Sequence, residues 1–90
     1  MKAHEILQEA MNALNDRAAS RDVEEERSMR AAVASFNALY GLTLTEEQGW
    51  MFQVILKASR SKGGDVRVDD YIDGSSYFAL AGECAIKSRN

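Results

Sequence analysis

Proline is absent from all 90 residues, and glycine interrupts the pattern of the chain mainly at two places, Gly41 and the pair Gly63-Gly64. A chain without the one residue that removes a backbone donor and locks φ is free to run in long helices, and its few breakers then mark the joints. The fold this predicts is all-α: a four-helix compact domain with helices at about 2–19, 23–40, 46–60 and 69–87.

The individual segments carry the period of 3.6. Ile6, Leu7, Ala10, Met11, Leu14 and Ala18 recur at three and four, making one apolar stripe on the first helix. After the polar joint Ser20-Arg21-Asp22, Met29, Val33, Phe36 and Leu39 or Tyr40 continue the spacing up to Gly41, a natural C′ residue because it accepts a left-handed backbone. Thr45 reads as the N-cap of the third helix, with Gln48 completing a capping box and Leu44 placed as half of a hydrophobic staple. Trp50, Met51, Phe52, Val54, Ile55 and Leu56 make that helix apolar nearly all round, which places it at the centre or at a subunit contact.

The last helix is unusual for its small residues, Gly74, Ser75, Ser76, Ala79, Ala81 and Gly82. Glycine inside a helix costs about 1 kcal/mol relative to alanine, so a compensating close approach of another backbone is expected. Gly74 and Gly82, eight apart, share a face and form with Trp50 and Phe52 the candidate interface residues.

Ninety residues make one domain, 1–90, near the lower limit of what a chain stabilises alone, so a homo-oligomer is expected. No apolar run reaches the roughly 20 residues a membrane span needs, and the charged, aliphatic N-terminus resembles no leader, so the chain is expected to start at Met1 and act in the cytoplasm. The single cysteine, Cys84, excludes an internal disulfide and, with one histidine, a zinc site. A net charge of −3 with both signs interspersed lacks the basic face of a duplex nucleic-acid binder.

The chemistry-bearing stretch is Asp69-Asp70-Tyr71-Ile72-Asp73. Asp70, Asp73 and Tyr77, at spacings of three and four, point the same way on a helix, and two carboxylates so placed suit a magnesium ion. The same acids suit a helix start, Asp69 as N-cap and Asp70 in the first turn. A turn centred near residue 64 brings residue 57 opposite about 71, so Lys57 and Arg60 are expected beside Asp69, Asp70 and Asp73. There they either neutralise the acids or, with Tyr77, grip a ligand's phosphates. Glu24-Glu25-Glu26, followed by Arg27 and Arg30, reads as a solvated helix start, and His4 as a surface residue. Cys84 and the serines lack the setting of an activated nucleophile, and Gly63-Gly64 lacks the lysine of a phosphate loop.

Through ERSM (26–29), FNALYG (36–41), LTEEQGWMF (44–52), LKASR (56–60) and DDYIDGSSYFALAGE (69–83) the chain resembles a family of small phage and prophage proteins of unknown function. More distantly it is similar to MazG-like all-α nucleoside triphosphate pyrophosphohydrolases, in which carboxylates from two helices hold magnesium and activate water against a nucleotide. Asp70 and Asp73 match the second carboxylate pair of that pattern. The first pair is not met, since Arg27 stands three residues after Glu24 and Ser28 three after Glu25.

Two functions are therefore expected as alternatives. One is a phage accessory protein in the host cytoplasm, non-catalytic and without a cofactor, binding a host protein or a small phosphate-bearing ligand such as a nucleotide. The other is a magnesium-dependent pyrophosphohydrolase using Asp70 and Asp73.

Overall fold

A chain with no proline and separated glycine joints should fold as rods, and it does. The computed structural model describes residues 1–20 and 28–89, in which four helices run as α1 (Ala3–Ser20), α2 (Ser28–Tyr40), α3 (Glu46–Ser61) and α4 (Val68–Arg89). The observed ends of α1, α3 and α4 agree with the sequence-based bounds to within two residues. The expected start of α2 at 23, and the run Glu24–Glu26, lie outside the described residues.

The α2–α3 joint is built by its own sequence. Gly41 takes φ +64, and the Leu42 amide donates to the Asn37 carbonyl at 3.1 Å, closing α2 in the manner of a Schellman cap. The Asn37 side chain then holds the next strand of loop at both ends: its Nδ2 donates to the Leu44 carbonyl at 2.9 Å and its Oδ1 accepts from the Leu44 amide at 2.9 Å. The capping box forms as expected, with the Gln48 amide donating to Thr45 Oγ1 at 3.1 Å and the Thr45 amide to Gln48 Oε1 at 2.9 Å. The staple does not form, because the position that Leu44 would meet is Gly49, which has no side chain.

That same glycine is where α2 docks. A Cβ on Gly49 would stand 2.5 Å from Met29 Sδ and 2.9 Å from Val33 Cγ2, so the glycine makes room for those two side chains where they are.

α3 and α4 form an antiparallel hairpin, the most extensive helix contact in the molecule. Gly64, at φ +66, makes the reversal. The connection also includes Asp65, Val66 and Arg67, which moves the register by about two residues: Lys57 faces Asp73 and Gly74 rather than residue 71. Trp50 is the centre of the core, 3% exposed, with Leu80 and Ala81. Leu14 of α1 and Met29 of α2 pack against this cluster, with α1 against α4 and α2 against α3. Among the described residues no helix is long and apolar enough to cross a membrane.

Candidate functional site

Helix α4 begins at Val68, and the Asp70 amide donates to the Arg67 carbonyl at 3.1 Å. Asp69 therefore sits inside the first turn with Asp70 rather than at the N-cap, a correction of one residue position that leaves both acids where the positive end of the helix dipole favours them. One turn further, Asp73 is engaged. Lys57 Nζ of α3 lies 3.0 Å from its Oδ2, with the lysine side chain only 15% exposed.

The Lys57 pKa is raised above 10.5, chiefly by the hydrogen bond to Asp73, with partial burial pulling the other way. Arg60 is exposed on the next turn of α3, and among the described residues no ion pair joins it to Asp69 or Asp70. The expected cluster is thus realised as one close pair. Register is not the cause, since with Lys57 against Asp73 residue 60 falls level with about residue 70; Arg60 lies about 60° round α3 from Lys57 and stays exposed.

Tyr77 turns its ring onto Trp50, centroids 5.4 Å apart and planes at 28°, while the Arg17 guanidinium of α1 lies 5.4 Å from the Trp50 ring centre. The stack Arg17–Trp50–Tyr77 joins α1, α3 and α4 by cation–π and aromatic contact. Trp50 Nε1 is buried without a hydrogen-bond partner. Of the candidate interface residues, Trp50 is thus spent on the chain's own core and Gly74 faces α3, where an added Cβ would meet Lys57 Cβ at 3.7 Å, whereas Phe52 and Gly82 remain exposed.

Two hollows adjoin these groups. The smaller, about 250 Å³ between α1 and α4, is lined by Asp16, Arg17, Asp73, Ser76 and Tyr77 over Ala13 and Leu14. Ser76 Oγ turns back to the Asp73 carbonyl at 2.9 Å. The larger, about 570 Å³, opens where the start of α3 meets the end of α4, and of the candidate binding, metal and interface residues it holds Trp50 alone. Its charges are matched locally: Arg30 Nε to Glu46 Oε1 at 2.8 Å, Arg89 Nη2 to Glu47 Oε1 at 2.9 Å, and Lys87 Nζ to Glu83 Oε1 at 3.2 Å. Burial, then Glu46 and Glu83, push the Cys84 thiol up, so it stays protonated and a poor nucleophile. Chemistry favours the smaller hollow, which two carboxylates, a guanidinium, a hydroxyl and a phenol line. Among the described residues no three His, Cys, Asp or Glu side chains converge as metal ligands.

Residues 5–85 match the family described as Domain of unknown function (DUF6378). The chain belongs to that family. No curated protein and no solved structure matches it. The DUF6378 span includes the Lys57–Asp73 pair, the aromatic stack and the whole lining of the smaller hollow, while Lys87, Ser88 and Arg89 of the larger one lie beyond its end.

Arg17 and Asn37 are the residues that sequence reasoning missed. An asparagine three residues before the last residue of a helix that ends at glycine is a local signal for a loop clamp. Arg17 has no such signal, since its partner ring is on another helix.

Proposed function

We propose that this DUF6378 chain is a non-catalytic accessory protein of phage or prophage origin, a helical homo-oligomer that binds a host factor or a small phosphate-bearing ligand. The observation that carries the non-catalytic part is the Lys57–Asp73 pair. A magnesium site needs carboxylate oxygens free to face the ion, and here the Asp73 oxygen is shared with an ammonium whose side chain is mostly buried. Freeing the acid would strand that cation, at the cost of its hydrogen bond and its paired charge.

Assembly is supported by the apolar side chains left open to solvent, Phe36, Leu39, Tyr40, Phe52, Ile55 and Phe78 among them.

A second reading, magnesium-dependent nucleoside triphosphate pyrophosphohydrolysis, is favoured by one observation: Asp70 and Asp73 are both half-buried and three apart on α4. It requires Glu24 to Glu26, which lie outside the described residues, to complete the cage. Incubation with a panel of nucleoside triphosphates and magnesium decides between the two. The non-catalytic reading expects no pyrophosphate release above that of an Asp70→Asn/Asp73→Asn double variant; turnover abolished by that variant would replace it with the enzyme.

A further inference from the structure

Three acceptors share one face of α4. Asp73, Ser76 and Tyr77 stand at i, i+3 and i+4, so their side chains are neighbours on the helix, and all three line the smaller hollow. Each keeps acceptor capacity. Lys57 comes to Asp73 from α3, outside that lining, and takes Oδ2, while no side chain among the described residues donates to Oδ1. Ser76, only 5% exposed, donates its proton to the Asp73 carbonyl, and nothing among the described residues donates to its Oγ. The Tyr77 ring is fixed against Trp50, and among the described residues its hydroxyl joins no hydrogen bond.

Helix α1 closes the other wall. It contributes the apolar Ala13 and Leu14 and a second carboxylate, Asp16. The cation in the lining is Arg17, whose guanidinium lies over the Trp50 ring. The hollow is therefore richer in acceptors than in donors, beside a short aliphatic surface. Phosphate oxygens, which only accept, would meet other acceptors along α4.

We propose that the smaller hollow binds a primary alkyl ammonium group, its N–H donors shared by Asp73 Oδ1, Ser76 Oγ and Tyr77 Oη and its stem lying on Ala13 and Leu14. An ammonium carries three donors and no acceptor, which matches the α4 face in number and in sense. Hydrogen bonds from a charged donor are the strong ones, and Asp16 adds an opposite charge to the same hollow. Size agrees as well. A volume of about 250 Å³ lies below the range of about 300 to 1,000 Å³ usual for drug-sized ligands, and suits a small amine or the end of one lysine side chain. This goes beyond the function proposed above, and neither reading depends on the other.

The test uses the chain's own reporter. Trp50 is the only tryptophan and touches both Tyr77 and Arg17 of the lining, so its fluorescence responds to an occupant. The full chain is titrated at neutral pH and constant ionic strength with n-butylamine and, in parallel, with tetramethylammonium, which has the charge but no N–H. A saturable change is expected with n-butylamine, and binding at least about tenfold weaker with tetramethylammonium. Tyr77→Phe keeps a ring on Trp50 and removes the hydroxyl, and is expected to weaken n-butylamine about tenfold with far-UV circular dichroism unchanged. No saturation with n-butylamine overturns the proposal, as does an equal response to the two cations or wild-type affinity in Tyr77→Phe. Should that variant fail to fold, amide shifts of the wild-type chain on adding n-butylamine decide: shifts at Ser76 and Tyr77 support the site, and shifts confined elsewhere overturn it. Nα-acetyl-lysine methylamide separates the two sources of such a group. Tighter binding than n-butylamine assigns the hollow to a lysine of a partner protein, and weaker binding to a free amine, either of which supports the ammonium site.

Discussion

Lys57 and Asp73 meet at 3.0 Å across the α3–α4 hairpin, four residues before the end of α3 and five after the start of α4, and largely shielded on the lysine side. The pair ties the register of the two longest-packed helices to a single charge-assisted hydrogen bond.

Its pH dependence has a definite sign. The folded-state pKa of Lys57 is raised above 10.5, so its contribution to stability is fully present below that value and is lost as pH rises through the higher one. Asp73→Asn is expected to destabilise the fold by about 1 kcal/mol at neutral pH. Urea midpoints measured at neutral pH and again above 10.5 should show the gap between wild type and variant narrowing.

Two helical glycines should answer oppositely to alanine. At Gly74 the new methyl would meet Lys57 Cβ at an ordinary 3.7 Å, and the gain in helix propensity, up to about 1 kcal/mol, should appear as a higher melting temperature. At Gly49 the methyl would collide with the Met29 and Val33 side chains, which must give way at the α2–α3 contact. Gly49→Ala is expected to cost about 1 to 3 kcal/mol, with the loss of helix protection in hydrogen exchange confined to α2.

The α2–α3 joint should be sensitive to single polar truncations. Asn37→Ala removes both hydrogen bonds to Leu44 and Thr45→Ala removes the cap of α3. Each is expected to lower stability by about 1 to 2 kcal/mol. Because the two act on one short loop, their effects in the double variant should be less than additive, which chemical denaturation of all four proteins would reveal.

Trp50→Ala empties the centre of the core and should cost about 3 to 5 kcal/mol. Trp50→Phe keeps a ring to stack on Tyr77 and removes a buried N–H that has no acceptor, so its cost should be clearly the smaller. Equilibrium unfolding followed by circular dichroism ranks the two.

What was readable in the chain was whatever is decided within a few residues. Gly41, Thr45 and Gln48 announce the end of α2 and the start of α3 because a left-handed residue and a capping box are short-range hydrogen-bonding problems with few solutions. The hairpin pairing of Lys57 with an aspartate followed from one glycine turn, and missed by only the length that Asp65 to Arg67 add to it.

The apolar stripes told less. On α1, Ile6, Leu7, Ala10, Met11 and Leu14 form one broad band, yet Ala10 is buried while Leu7 and Met11 are exposed. On α2 the same holds for Phe36, Leu39 and Tyr40, with the docking made instead by Met29 and Val33 against a glycine. The sequence alone thus determined that there are helices, where they stop and how the last two pair, because those are matters of backbone hydrogen bonds and loop length. Only the tertiary structure decided how each helix is rotated, which places Arg17 over Trp50, because burial is non-directional and a wide apolar band can satisfy it in several orientations until its neighbours select one.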